Sequence, residues 1–130
     1  SDMNDPPVVL LVDDEPRILS ALRRTLRRKG LALEEASNGS IALDRIGESP
    51  SVDLVISDQK MPGLSGVELL ARIRKASPST RRILLSSWTA EIPPGELSRA
   101  APAFVLAKPW DDTGLKASIR SALYDEDRTV

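Results

Sequence analysis

The chain has no cysteine and no histidine. Their absence excludes a disulfide scaffold, a thiolate or imidazole metal site, a cysteine nucleophile and any Ser-His-Asp triad. Whatever chemistry it performs must run on carboxylates, hydroxyls, lysine or arginine. Aromatic residues are scarce too: one Phe, one Tyr and two Trp leave little to stack on single-stranded bases. Neither sign of charge dominates, since eighteen basic residues against nineteen acidic ones give a formal net charge of -1. That removes the global attraction expected of a protein that lives on phosphate backbones, so no direct nucleic-acid partner is expected. The longest apolar runs are four or five residues, too short to cross a bilayer, and no basic-then-apolar leader opens the chain. The expectation is a cytoplasmic protein with no membrane partner.

What is present suits one globular domain. The 130 residues, 41% of them hydrophobic, supply a single core and leave no room for a separate cofactor domain. The domain is expected over 8–124, with 1–7 disordered or tag-derived and 125–130 a tail or the start of a linker. Ser1-Asp2-Met3 reads as an expression scar.

Short β-rich apolar runs alternate with longer stretches of helical spacing, the pattern of a parallel sheet covered by helices on both faces. Val8 to Val12 is a continuous apolar run, as a strand buried on both faces should be. Pro16 fits a first helical position, with Ile18, Leu19, Leu22 and Leu26 on one face and Gly30 as the stop. Leu31 to Ala36 is a weaker strand whose Glu34 and Glu35 suit a sheet edge. Asn38 and Ser40 can start a helix carrying Ile41, Ala42 and Ile46, ended by Gly47 and Pro50. Val52 to Ser57 is the third strand. Ser65-Gly66-Val67-Glu68 is a capping box, with Leu64 and Leu69 placed as a staple, and it specifies a helix to about Ala76. Arg82 to Ser86 and Ala103 to Ala107 are the last two strands. Between them Pro93, Pro94 and Gly95 predict a short, late fourth helix from about Gly95 to Ala100. Asp111 or Asp112 caps a final helix with Leu115, Ile119, Ala122 and Leu123 inward.

In an open parallel sheet the loops leaving the carboxyl ends of the strands converge on a crevice, and ligands bind there. Strand one ends in Asp13-Asp14-Glu15, strand three in Ser57-Asp58, strand four in Ser86-Ser87 and strand five in Lys108-Pro109. Carboxylates gathered a few Å apart repel by about 4 kcal/mol per pair at an effective dielectric of 20, so an ionised cluster needs a cation. Mg²⁺, which takes carboxylates, waters and phosphate oxygens, is the natural occupant. With Lys108 as a point charge and Ser86 as a neutral donor, the set fits phosphoryl transfer onto a carboxylate nucleophile.

These residues resemble the receiver domain of two-component response regulators. The resemblance runs from about Val8 to Tyr124 and rests on Val9-Leu10-Leu11-Val12-Asp13-Asp14-Glu15-Pro16, on Asp58-Gln59-Lys60-Met61-Pro62-Gly63-Leu64-Ser65-Gly66 and on Ala107-Lys108-Pro109-Trp110. It implies a flavodoxin-like, doubly wound (βα)5 fold with a parallel five-stranded sheet in the order 2-1-3-4-5. Asp58 is implied as the phosphoacceptor, served by a histidine kinase or phosphotransfer protein. Asp14 and Asp58 would ligate Mg²⁺, or Mn²⁺ in its place, directly, Asp13 through water and Lys60 through its backbone carbonyl. Lys108 would pair with the phosphoryl group, its bond to Pro109 would be cis, and Ser86 and Ser87 would supply a hydroxyl and a backbone N–H. The product is a switch, not a turnover enzyme, acting on an output domain, a partner protein or a second copy of itself. Departures from the family concern signalling: Val105 stands where receivers carry Tyr or Phe, and Pro-Pro-Gly replaces the ordinary start of the fourth helix. By the same resemblance, a bulky Trp88 should obstruct hydrolytic water and prolong the phosphorylated state.

Blander readings exist for each part. Asp13-Asp14 alone would be a turn and helix cap, Asp58 alone a turn residue, and Lys108 alone a solvated charge; their joint placement at strand ends argues otherwise. Arg23, Arg24, Arg27, Arg28 and Lys29 read as a solvated helix face and dipole complement, not a DNA contact. Trp110 is expected to pack against Leu115. Two competing functions are a degenerate receiver acting as a constitutive interaction module and a Mg²⁺-dependent aspartyl phosphatase; a nucleotide-binding fold is disfavoured because neither GxGxxG nor GxxxxGK[ST] occurs.

Overall fold

The computed structural model describes residues 5–27, 30–87 and 91–125. Five strands and five helices alternate: β1 (Val8–Val12), α1 (Pro16–Leu26), β2 (Ala32–Ala36), α2 (Gly39–Ile46), β3 (Leu54–Asp58), α3 (Gly66–Ala76), β4 (Arg81–Ser86), α4 (Pro94–Ala100), β5 (Phe104–Ala107) and α5 (Asp112–Tyr124). All four strand pairings are parallel, and the order across the sheet is β2-β1-β3-β4-β5. This is the flavodoxin-like arrangement that the resemblance implied. β1 is paired on both sides, so each of its loop residues leaves from the middle of the sheet, where the strand order reverses.

The two-residue alternation of strand side chains splits the core into two halves. Val9 and Leu11 of β1 face α1 and α5, where they join Leu19, Leu22, Leu26, Ile56, Ile83, Leu115 and Ile119. Val8, Leu10 and Val12 face the other way, into a cluster with Ala42, Val55, Val67, Leu70, Ile73, Leu84 and Ala100 from the α2–α3–α4 side. Because both faces of β1, β3 and β4 are covered, β1 is apolar throughout and β3 and β4 carry the unbroken apolar triplets Leu54-Val55-Ile56 and Ile83-Leu84-Leu85.

Local sequence accounts for most helix ends. Pro16 occupies the first turn of α1, and Gly30 follows its end at φ +67. Asn38 accepts from the Ile41 amide at the start of α2. Ser65 and Glu68 form the capping box of α3, and Asp111 accepts from the Gly114 amide at α5. On the edge strand, Glu34 pairs with Arg45 and Glu35 with Arg23.

Three local features go beyond what the spacing alone gives. Ile41 is 45% exposed: α2 buries Gly39 and Ala42 and half-buries Leu43 and Ile46, a stripe spaced i, i+3, i+4 and i+7 from which Ile41 is rotated away. Helix α4 starts at Pro94, not Gly95, because proline is well accommodated at a first helical position, where its missing N–H would have no partner. Leu64 lies over the start of α2: a Cβ placed on Gly39 would come 2.9 Å from its own Cβ.

The far end of α4 is held by two arginines. Arg82 of β4 donates to the carbonyls of Ala100, Ala101 and Thr80 at 3.0, 3.1 and 2.9 Å, and Arg74 of α3 donates to those of Ser98 and Arg99. All but the bond to Thr80 satisfy carbonyls at the end of α4, left open where Ala101 turns left-handed at φ 42. Burial lowers the Arg82 pKa, and Arg74 and Arg81 lower it further. Arg82→Met, which keeps the packing stem but removes the donors, is expected to cost about 2 kcal/mol, read as a lower urea midpoint with unchanged slope.

Candidate functional site

The carboxyl edge of the sheet gathers the residues predicted for it. Asp13 directly follows β1, Asp58 is the last residue of β3, Ser86 the last of β4, and Lys108 directly follows β5. The β3–β4 and β4–β5 registers place Asp58 beside Leu85 and Ser86 beside Ala107, so the three strand ends are level.

Asp13 is wholly buried and Asp58 is 5% exposed, whereas Asp14 projects into solvent. The Lys108 ammonium bridges the two buried carboxylates, with Nζ 3.0 Å from Asp13 Oδ2 and 3.1 Å from Asp58 Oδ1. The other Asp13 oxygen accepts from the Glu15 amide at 2.8 Å. One carboxylate oxygen from each of Asp13, Asp14 and Asp58 lies within 4.8 Å of the others.

The electrostatics follow from burial. Burial pushes the Asp58 carboxyl above its ordinary value; Lys108 opposes this and neighbouring Asp13 adds to it, and the net direction is up. Burial by itself would lower the Lys108 pKa, but hydrogen bonds and charge attraction from Asp13 and Asp58 more than offset it and raise the value. One ammonium cannot neutralise three carboxylates. The remaining negative charge and the all-oxygen donor set fit a hard divalent cation, and they would fit a soft metal poorly.

A cavity of about 580 Å³ opens beside these groups. Asp58, Lys60, Ser87 and Lys108 give it a polar wall, and Ile18, Pro109 and Trp110 an apolar one. The Ser86 hydroxyl is nearly buried and donates to the Ser87 carbonyl at 3.2 Å. Lys60 is exposed. Trp110 packs on the cluster that contains Leu115, and its indole N–H donates to Asp112 at 3.1 Å. The Lys108–Pro109 bond is cis. At β5, Phe104 packs inward while Val105 is 47% exposed, as strand alternation requires. Trp88, Arg28 and Lys29 lie outside the described residues.

One contributor has no signal in the sequence. Gln59 is 7% exposed, and its side-chain oxygen accepts from the Val67 amide at 2.9 Å while its backbone carbonyl accepts from the Gly66 amide at 2.8 Å. No local spacing rule links a residue to a helix start eight positions away. Gly66 is itself required: a Cβ there would lie 2.3 Å from the Asp58 carbonyl oxygen and 2.9 Å from Gln59 Cα.

Residues 9–120 match the family model of the response regulator receiver domain. The chain belongs to that family. It is 30% identical over 128 residues to the sensor kinase CckA of Brucella abortus, covering 98% of this chain and 14% of that protein. It is 35% identical to the transcriptional regulatory protein GlrR of Escherichia coli, covering 91% of this chain and 26% of that one. The sporulation initiation phosphotransferase F of Bacillus subtilis is 29% identical, with 88% of this chain matching 92% of its length. The receiver therefore spans a minor part of the first two relatives and nearly all of the third. Among solved structures, a signal receiver domain from an HD-domain protein of Pseudomonas fluorescens superposes with a TM-score of 0.81 at 36% identity, covering 91% of this chain and 94% of that one. The regulator TrrA of Thermotoga maritima, solved in complex with Mg²⁺-BeF, gives 0.79 at 34%, covering 90% and 99%. Receivers are signalling switches, not turnover enzymes, and no described helix of this one is long and apolar enough to cross a membrane.

The raised Asp58 pKa has a consequence for stability without metal. Folding favours the protonated carboxyl, so ionised Asp58 opposes folding at neutral pH, and the penalty fades as pH falls through the raised value toward the ordinary 3.8. In chelator-treated buffer, Asp58→Asn is expected to unfold at higher urea than the parent at pH 7, the two midpoints converging as the buffer is made acidic.

Proposed function

We propose that Asp58 accepts a phosphoryl group from the phosphohistidine of a histidine kinase or phosphotransfer protein, and that the receiver thereby changes its affinity for an output domain or partner protein. The observation that carries this reading is the Lys108 ammonium held between Asp13 and Asp58 at 3.0 and 3.1 Å. In the transfer, the bond between phosphorus and the donor imidazole nitrogen breaks as one forms to an Asp58 carboxylate oxygen, and a proton carried on the donor ring or taken from water leaves the imidazole neutral beside the new acyl phosphate. No cysteine or histidine of the receiver is needed.

Each group has a task set by its position. Asp58 presents its carboxylate at the rim of the cavity, where a donor can approach. Lys108 anchors one Asp58 oxygen and supplies positive charge where the phosphoryl oxygens arrive. The Ser86 hydroxyl now donates to a neutral carbonyl; a phosphoryl oxygen is a stronger, charged acceptor to which it can turn, with the Ser87 backbone N–H as a second donor. Asp13, Asp14, Asp58 and the Lys60 backbone carbonyl would hold Mg²⁺, with Asp13 acting through water. Bound there, the ion would offset the charge of the phosphoryl oxygens. Asp13 is already tied to Lys108 and to the Glu15 amide, which favours an orienting part over direct ligation.

The same reading assigns the receiver to residues 8–124 and places it in the cytoplasm, facing the kinase. Exposed Val105, in place of an aromatic side chain, favours a second reading in which the partner binds whether or not Asp58 is modified.

Incubation with Mg²⁺ and acetyl phosphate, followed by intact mass, is expected to show one added phosphoryl group on the parent, none on Asp58→Asn, and none when chelator replaces Mg²⁺. Lys108→Ala should slow labelling by about a hundredfold. A parent chain that gains no mass under these conditions would sink the phosphoacceptor reading.

A further inference from the structure

The first turn of α3 has four backbone donors without helical partners. The capping box accounts for two: Ser65 Oγ accepts from the Glu68 amide at 3.3 Å, and Glu68 accepts from the Ser65 amide at 2.9 Å. Both of the others go to Gln59, whose backbone carbonyl takes Gly66 and whose side-chain oxygen takes Val67. The residue next to Asp58 therefore closes the helix start from outside the helix.

We infer that Gln59 is a positioning residue, tying the first turn of α3 to the Asp58–Lys60 backbone and so holding the Asp58 carboxylate and the Lys60 carbonyl in place for metal. The inference rests on the proposed roles of Asp58 and Lys60. Three neighbouring features make the tie rigid. Gln59 is buried, and its own amide continues the sheet by donating to the Leu85 carbonyl at 2.9 Å. The Asp58 carbonyl accepts from the buried Ser57 hydroxyl at 2.9 Å and lies against Gly66, where no side chain fits. Two positions on, Met61 is buried in the core with Leu69 and Leu70. The segment is thus fixed on both sides of Lys60, and Gln59 is the member that reaches across to α3. Its side chain touches no reacting atom; it acts through the backbone on either side.

The test uses the whole chain and the variants Gln59→Met, which keeps volume and removes the acceptor, and Gln59→Glu, which restores an acceptor oxygen. In metal-free buffer, hydrogen exchange of the Val67 amide should accelerate about tenfold or more in Gln59→Met while α5 amides are unchanged, and should return toward the parent rate in Gln59→Glu. Mg²⁺ affinity of Gln59→Met, followed by amide shifts on titration with the metal alone, should fall about tenfold. Gln59→Asn withdraws the oxygen by one methylene and repeats both measurements if the methionine chain does not fold. Unchanged Val67 exchange overturns the inference. So does faster exchange with unchanged Mg²⁺ affinity, which would leave Gln59 as a cap for α3 alone, and so does a parent that binds no Mg²⁺. A parent that binds Mg²⁺ but takes no phosphoryl group defeats the proposed function, and the exchange and affinity measurements still decide the part played by Gln59.

Discussion

Lys108 stands between two buried carboxylates that would otherwise repel each other, and the architecture of the carboxyl edge is arranged around that ammonium. Asp13 comes from β1, Asp58 from β3 and Lys108 from the end of β5, three non-adjacent parts of the chain joined at one point. A fully buried aspartate is tolerated only with a charged partner and hydrogen bonds to its remaining oxygens, and Asp13 has both. The same pairing leaves Asp58 under-compensated. Its carboxyl is pushed up because burial outweighs what a shared cation returns. The site is thus built with a deficit of positive charge, which is the condition under which a divalent ion or an incoming donor has something to relieve.

The fold supplies the precision. Strands β1, β3 and β4 are covered on both faces, so their ends cannot shift without disturbing two apolar clusters at once. Asp58 closes a strand whose five residues are all buried. Rigidity at the strand end and openness just beyond it, in the cavity that Ile18 and Trp110 help to line, let one carboxylate be both well placed and reachable.

Much of this was legible in the sequence because the relevant signals are local. The apolar runs, the Ser65–Glu68 box, Asn38 and Asp111 as caps and the acidic ends of strands one and three are each read within a few residues, and each stands where expected. The inherited strand order then brought Asp13, Asp58 and Lys108 together, which no local rule could do. What stayed hidden is long-range or depends on rotation. Arg82 meets the end of α4 eighteen and nineteen residues later, and Gln59 meets Val67 across a turn; neither pairing has a periodicity. The outward turn of Ile41 is not legible because an eight-residue helix has too few turns for its apolar stripe to be phased from composition. Pro94 opens α4 one residue before the start that the proline pair suggests.

The edge strand β2 has a further implication. Its outward glutamates are not idle charges: Glu34 is engaged by Arg45 of α2 and Glu35 by Arg23 of α1. The two carboxylates leave the strand toward opposite faces, each tied to the helix that covers that face, so charged and already paired side chains flank the unpaired backbone of the edge. Charge placed on an edge strand disfavours its pairing with another chain, and here that charge also fastens the strand to the helices above and below it.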